Sequence, residues 1–412
     1  MTEERLARRL GVGDAVVVGL GAMLGAGVFA AVGPAAEAAG SWLLAGLTAA
    51  AFVAYANATS SAQLAALYPE SGGTYVYARK QLGDYWGFLA GWSFVVGKTA
   101  SLAAMALTFG AYMAPDLARP LGIGAVAALT VVNYLGVDKT ARTTRVIVAI
   151  TLAALATVVA AVFLAGEPTV SRLSSDLPGG VGGILRAGGL LFFAFAGYAR
   201  IATLGEEVTD PEVTIPRAIP LALGIVVVTY ALVMGAALLA VGPERLAIAP
   251  APLAEAVSAG AWSSLTPVVR VGAAVASAGV LLSLLAGVSR TSFSMARRRE
   301  LPGVLDAVHQ RYRTPYRAEL AVAVLVCGIV AVADLRGAIG FSSFAVLTYY
   351  GLANASAVTL SGDERRWPRP LAVAGVLGCG VLAFSLPLVA VVGGGLLLAV
   401  GSAVWWARRG RS

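Results

Sequence analysis

Glycine is concentrated in the first apolar segment of the chain, where residues 19–29 include four glycines within nine positions. Each glycine weakens a helix by roughly 1 kcal/mol relative to alanine, so we expect an interrupted helix here. An interruption would free the backbone N–H groups of Gly25, Ala26 and Gly27, which, with the positive end of the following half-helix, can hold a carboxylate. Close helix packing also favours small residues, and glycine alone does not decide between these readings.

A second glycine-interrupted segment follows at residues 188–198, where Gly188, Gly189 and Gly197 flank an aromatic run. The two segments are the first and sixth apolar stretches of the chain. Interrupted helices at corresponding places in two halves of a chain are typical of inverted-repeat transporters. The pairing favours a substrate site where the two interruptions meet.

Lys98 lies near the middle of the third apolar segment, residues 85–113. A lysine at the centre of a membrane helix costs about 2.5–3.5 kcal/mol to insert, so we expect it to face the interior of the bundle. There it could carry a proton or pair with an acidic substrate. The structural alternative is a bond to a helix carbonyl or to Glu37.

The residues that build most enzyme and metal sites are scarce. Two cysteines, Cys327 and Cys379, lie within apolar segments, and the single histidine, His309, lies in a basic loop. This excludes a disulfide framework, a cysteine-type zinc site and a histidine-based triad within the membrane. We therefore expect no enzyme activity, no metal site and no cofactor beyond a coupling H⁺ or Na⁺ ion.

The composition places most of the chain in lipid. Charged residues make up 13% of the 412 residues and hydrophobic residues 58%, whereas soluble domains carry about 25% charged residues. At about 20 residues per span, we predict an all-α integral membrane fold of about twelve helices in one domain, residues 1–412. The predicted spans are 13–37, 41–67, 85–113, 121–137, 143–165, 183–204, 218–241, 268–295, 318–334, 337–359, 370–386 and 388–407.

The basic residues predict how the chain is threaded. Of 30 Lys and Arg residues, 21 lie in segments that are cytoplasmic if the N-terminus is inside, and five lie in outside segments. This bias fits the positive-inside rule with both termini cytoplasmic in the plasma membrane. The net charge of +8 is thus a topology signal, and we expect the lipid bilayer rather than nucleic acid as partner.

Several motifs resemble those of the amino acid–polyamine–organocation (APC) permease superfamily, over most of residues 10–320. They lie at residues 21–29, 68–77, 87–92, 192–198, 206–219 and 295–302. The resemblance agrees with a five-plus-five inverted repeat, with halves at 13–165 and 183–359, discontinuous helices one and six, and two additional helices at 370–407.

The resemblance also implies site residues. The amides of Gly25, Ala26 and Gly27 would take a substrate carboxylate, and the carbonyls of Met23, Phe193 and Ala196 an α-ammonium. Phe193 or Tyr198 would act as a thin gate over the ligand. Segments 69–77 and 206–219 would take part in inner gating, although Glu206 and Glu207 could simply cap and pair with neighbouring Arg-rich loops.

One position departs from the family pattern. Several proton-coupled members place a lysine on the fifth helix, and the matching residue here is Thr151. A hydroxyl cannot carry that charge. Either Lys98 takes over the proton role, or Thr151 and Ser283 bind Na⁺ beside backbone carbonyls near Gly21.

The sequence thus predicts a secondary active transporter for amino acids or related organic amines, driven by an ion gradient or by exchange. A membrane channel or an amino-acid sensor without active transport is the alternative. The sequence identifies neither the particular substrate, the coupling ion nor the oligomeric state.

Overall fold

The computed structural model describes residues 10–70, 72–136, 141–173, 177, 179–202, 204 and 207–409. Within these residues the protein is helical, without strands, and one isolated parallel bridge joins Leu10 to Val208. The helices are α1 (Val12–Met23), α2 (Ala26–Ala30), α3 (Val32–Ala39), α4 (Leu43–Leu67), α5 (Thr74–Leu82), α6 (Asp84–Met113), α7 (Ala118–Tyr134), α8 (Ala141–Ala165), α9 (Gly180–Phe195), α10 (Ala199–Ala202), α11 (Pro211–Ile248), α12 (Pro252–Ser258), α13 (Thr266–Arg297), α14 (Tyr316–Val332), α15 (Leu335–Val358), α16 (Arg369–Ser385) and α17 (Leu388–Arg409).

The helices have the length and composition of membrane spans. Within the described residues, eight helical stretches are long and apolar enough to cross a bilayer, and two shorter apolar helices are α9 and α16. Large apolar side chains cover the outside of the bundle, for example Leu164, Val324 and Val389. An outer surface of this kind is stable in lipid and unfavourable in water. The chain is therefore a multi-pass membrane protein.

The observed helices follow the predicted spans closely, with differences where polar residues enter a helix. The helix α11 begins at Pro211, seven residues before the span predicted at 218–241. The predicted span begins later because the first turns of α11 are polar, and an apolar run does not include them. Its far end continues past a kink at Gly242, where φ is +76°. The short helices α5 and α12 were not predicted, because neither is long enough to span a membrane.

The first and sixth spans are both interrupted. The helix α1 ends at Met23, and α2 begins at Ala26. Between them, Leu24 has a ψ of 47° and Gly25 has a ψ of −148°, so neither residue is helical. In the sixth span, α9 ends at Phe195 and α10 begins at Ala199. The expected discontinuities are thus present in the residues where glycine is concentrated.

The core lies around α6, which packs against α13 and α15, and around α4, which packs against α9 and α11. The interrupted helices pack inside this frame, whereas α7 and α17 expose much of their surface. Because the surrounding helices bury both interruptions, the irregular backbone is shielded from lipid.

Ion pairs group at the two ends of the bundle. We call the end that holds Leu10 the N-terminal end. Among the described residues, five pairs lie there: Arg79–Asp84, Arg79–Glu300, Lys80–Glu70, Arg145–Asp14 and Arg366–Glu212. Two pairs lie at the opposite end, Arg245–Glu255 and Arg336–Glu37. Each pair joins residues that the positive-inside argument assigns to the same side of the membrane.

Candidate functional site

The two helix interruptions are in direct backbone contact. A Cβ atom at Gly197 would lie 2.3 Å from the carbonyl oxygen of Ala22, and one at Gly27 would lie 2.5 Å from the Cα atom of Ala194. Real Cβ atoms do not approach backbone so closely, so each position needs glycine. Glycine therefore serves both roles considered from the sequence, because the helices are interrupted and also tightly packed.

Neighbouring glycines seat the first span against other helices. A Cβ atom at Gly25 would lie 2.3 Å from Cγ2 of Val280 on α13, and one at Gly19 would lie 2.3 Å from Cδ1 of Ile201 on α10. The eighth span therefore passes directly beside the break in the first.

Tyr230, on α11, ties the two interrupted spans together. Its hydroxyl lies 2.6 Å from the carbonyl oxygen of Met23 and 3.0 Å from that of Ala194. The side chain is fully buried, and its ring packs against Phe195 with centroids 5.2 Å apart. Tyr230 is not among the predicted site residues, although a tyrosine amid the Val- and Leu-rich seventh span signals a buried hydroxyl that needs a partner.

Lys98 reaches the break in the sixth span. Its Nζ donates to the carbonyl oxygen of Ala196 at 3.3 Å, and the hydroxyl of Tyr350 donates to the same oxygen at 2.9 Å. Of the two structural partners considered for Lys98, the helix carbonyl is thus the one observed. Glu37 instead pairs with Arg336 at the end opposite Leu10.

Lys98 is buried, and no acidic partner for it lies among the residues that the structure describes. Its exposed fraction is 8%, and within the described part of the chain its ammonium forms no ion pair. Two like charges 4 Å apart repel by about 4 kcal/mol at an effective dielectric of 20. A second ammonium at the Ala196 carbonyl would therefore compete with a protonated Lys98.

The residues predicted to bind substrate are buried around the two breaks. The break in the first span is lined by Met23, Gly25, Ala26 and Gly27, and the break in the sixth span by Phe193, Ala196 and Tyr198. The ring of Tyr198 lies 4.8 Å from that of Tyr350, centroid to centroid. The structure brings these residues together, but their predicted roles toward a ligand stay predictions.

Two cavities lie away from the breaks. One, of about 300 Å³, lies next to α2 and α3 and is lined by residues that include Phe29, Gly33, Tyr112 and Arg336. The other, of about 320 Å³, lies between α8 and α12. None of the predicted substrate residues lines either cavity. The cavity beside α2 reaches Phe29, two residues beyond Gly27.

The residues considered for Na⁺ lie where α1, α8 and α13 meet. Gly21 faces Thr144 and Val148 of α8, and Thr151 lies one helical turn further along that face. The hydroxyl of Thr151 donates to Ile147, and that of Ser283 donates to Gly279, each within its own helix. Thr151 is buried and Ser283 is exposed. Lys98 lies on a different helix, α6.

The first segment expected to take part in inner gating contributes Tyr75 to a cluster at the N-terminal end, which we call the Glu300 cluster (Tyr75, Arg79 and Glu300). Glu300 accepts from Tyr75 at 2.6 Å and pairs with Arg79. Burial, together with the Glu300 carboxylate, raises the pKa of Tyr75 well above its usual range, so the phenol stays protonated and donates. Although burial lowers the pKa of Arg79, the charge and hydrogen bond of Glu300 give a net increase.

Part of the second gating segment is also described. Leu10 pairs with this segment through hydrogen bonds to Glu207 and Thr209. Glu206 lies outside the described residues, as does Ser71 in the first segment.

The opposite end has its own contacts across the bundle. Tyr112 donates to the carbonyl oxygen of Phe29 at 3.0 Å and accepts from the amide of Leu253 at 3.2 Å. Arg336 joins Glu37 to the carbonyl of Ala247. These contacts hold α2 and α3 against α6, α12 and α15.

Comparison with known proteins gives one family. The family model described as "Amino acid permease" matches residues 10–407. An uncharacterized transporter of Mycobacterium tuberculosis (strain ATCC 25618 / H37Rv) is 59% identical over 406 residues, covering 98% of this chain and 92% of the relative. The branched-chain amino acid permease BcaP of Bacillus subtilis is 24% identical (98% and 91% covered), and the serine/threonine exchanger SteT of the same species is 27% identical (89% and 87%).

Proposed function

This chain belongs to the amino acid permease family, and on that premise we propose that it is a secondary active transporter. It carries an amino acid or related organic amine across the plasma membrane by alternating access. The observation that supports this most directly is the backbone contact between two interrupted spans, at Ala22 and Gly197. Discontinuous helices of this kind place unpaired backbone groups at the depth where carriers bind their substrates.

The proposed architecture has twelve spans with both termini cytoplasmic. Residues 13–165 and 183–359 form the two inverted halves, and residues 370–407 form two further helices. The position of the interruptions, in the first and sixth spans, supports this division. The grouping of ion pairs by predicted side supports the threading.

In the proposed site, the amides of Gly25, Ala26 and Gly27 bind the substrate carboxylate. The carbonyls of Met23, Phe193 and Ala196 surround the remaining polar group, and Phe193 or Tyr198 closes over the ligand. Binding at Met23 or Ala196 requires that Tyr230, Lys98 or Tyr350 yields a hydrogen bond. Substrate entry is therefore coupled to local rearrangement of the breaks.

Alternating access follows from contacts at the two ends. The Glu300 cluster and the pairing of Leu10 with Glu207 and Thr209 close the cytoplasmic side. The contacts of Tyr112 and Arg336 hold the outer side. Opening one set while the other holds would expose the breaks to each side in turn.

The coupling ion has two candidates. A proton on Lys98 is one, and Na⁺ bound by Thr151, Ser283 and carbonyls near Gly21 is the other. Uptake by Lys98→Met and Thr151→Val, measured against pH and against Na⁺, separates them. Unchanged, Na⁺-dependent uptake by Lys98→Met would eliminate the proton role of Lys98.

The function is tested by reconstituting the full chain into liposomes and measuring uptake of radiolabelled amino acids with and without H⁺ and Na⁺ gradients, and after preloading with unlabelled substrate. We expect saturable uptake that is accelerated by a gradient or by preloading. Current without saturable uptake would indicate a channel, and binding without uptake would indicate a sensor. Either result would overturn the proposal.

A further inference from the structure

The backbone acceptors at the breaks are already engaged by the protein's own donors. The hydroxyl of Tyr230 lies within hydrogen-bond distance of the Met23 and Ala194 carbonyls, at 2.6 and 3.0 Å. The Ala196 carbonyl accepts from Lys98 and Tyr350, at 3.3 and 2.9 Å. A carbonyl oxygen has two lone pairs, so Ala196 has no acceptor capacity left for a substrate ammonium.

Lys98 brings a cationic group to this point, and no carboxylate in the described part of the chain forms an ion pair with it. The described residues include two buried carboxylates, Glu300 and Glu319. Glu300 pairs with Arg79 at the N-terminal end, and Glu319 lies in the first turn of α14. Neither forms an ion pair with Lys98. A buried cation of this kind is stabilised by an anion that arrives from outside.

We propose that Lys98 is the counter-ion of a substrate carboxylate, and that the transporter selects net-anionic carboxylates over zwitterionic and cationic amines. The inference rests on the proposed function and narrows its substrate class. The ammonium of Lys98 attracts a carboxylate that the backbone alone would bind weakly, and it repels a substrate ammonium from the Ala196 carbonyl. The gain in affinity is largest for substrates whose net charge is −1 or lower.

L-glutamate and L-glutamine have nearly the same shape and differ by the negative charge of the side-chain carboxylate, so comparing them tests the preference for an anion. Glutarate adds a carboxylate ligand without an ammonium, and putrescine adds an amine without a carboxylate. Binding of each probe to the purified full-length protein is measured by thermal shift and by competition with radiolabelled L-glutamate, and uptake is measured in liposomes. We expect L-glutamate and glutarate to bind at least about tenfold more tightly than L-glutamine, and putrescine not to compete.

Variants assign the preference to one side chain. Lys98→Met should lower the affinity for L-glutamate at least about tenfold but should not lower the affinity for L-glutamine, whose ammonium is no longer repelled. Lys98→Arg retains the charge and should keep the preference for the anion. Lys80→Met, which removes the same side chain from an exposed pair with Glu70, is the matched control and should resemble the wild type.

The outcomes separate the inference from the proposed function. Equal affinity of the wild type for L-glutamate and L-glutamine, or an unchanged preference in a folded Lys98→Met, would overturn the inference. Uptake of other amino acids in those experiments would leave the transporter assignment intact. If the wild type takes up no amino acid or carboxylate at all, the proposed function fails and the inference fails with it.

Discussion

The hydroxyl of Tyr230 lies 2.6 Å from the carbonyl oxygen of Met23, at the residue where the first span ends its regular helix. The same hydroxyl lies 3.0 Å from Ala194 in the sixth span. One side chain from the seventh span therefore bridges the two backbone segments that form the centre of the proposed site. A phenol has a single proton, so its bond can pass between the two carbonyls as they move.

Removing this hydroxyl should loosen the breaks. We expect Tyr230→Phe to destabilise the protein by about 1–3 kcal/mol, because buried acceptors lose their donor, and to reduce uptake. The measurement is thermal unfolding in detergent together with transport in liposomes. Tyr55→Phe is the control, since Tyr55 is exposed on α4. Equal stability of the two variants would show that the hydrogen bond of Tyr230 does not contribute to stability.

The contact between the breaks should not tolerate a methyl group. Gly197→Ala places Cβ 2.3 Å from the Ala22 carbonyl oxygen, so the two spans must separate. We expect loss of uptake and a lower unfolding temperature. Gly124→Ala on α7 adds a methyl group where nothing lies within 4 Å and should behave like the wild type. Normal uptake by Gly197→Ala would contradict the close packing of the two interruptions.

The Glu300 cluster should stabilise the closed state at the N-terminal end. Glu300→Gln removes a charge whose partner Arg79 is largely buried, and breaking such a pair costs roughly 3 kcal/mol. We expect a lower unfolding temperature and faster labelling of a cysteine introduced at Ala196 by a membrane-impermeant reagent added from that end. Glu70→Gln breaks the exposed pair with Lys80 and should cost less than about 1 kcal/mol. An unchanged labelling rate at position 196 in Glu300→Gln would show that the Glu300 cluster does not take part in gating.

A polar cluster links α16 to the core and should matter for stability. Asn57 and Asn354 are fully buried and hydrogen-bonded to each other, and the thiol of Cys379 donates to Asn57 at 3.3 Å. Asn57→Ala leaves Asn354 and Cys379 with only their long mutual contact at 3.9 Å, which should cost about 1–3 kcal/mol. Ser385→Ala, at an exposed hydroxyl of the same α16, should change the unfolding temperature little. Similar unfolding temperatures for the two variants would show that the cluster is dispensable.

The sequence predicted the positions of the long helices and their interruptions well, because both follow from local composition. An apolar run of about 20 residues is visible without tertiary information, and glycine marks where a helix is weak. The breaks at Leu24–Gly25 and after Phe195 fall within the predicted stretches.

The partners of the site residues were not predictable in the same way. That Lys98 meets Ala196, nearly a hundred residues away, depends on how α6 and α9 pack. The roles of Tyr230, Tyr350 and the Asn57–Asn354 pair depend on tertiary contacts between distant spans. A buried polar residue in an apolar span signals that a partner exists, but not which one.

The pairing of Leu10 with Glu207 and Thr209 has a consequence for biosynthesis. The first span is synthesised about two hundred residues before Glu207 and Thr209. Until those residues are made, its interrupted backbone at Leu24–Gly25 lies in the bilayer without the packing of the sixth span. Its final shape is reached only after the sixth span has been inserted. A nascent chain stalled before that stage would hold an unfinished first span, which makes it a natural target for membrane chaperones and quality-control proteases.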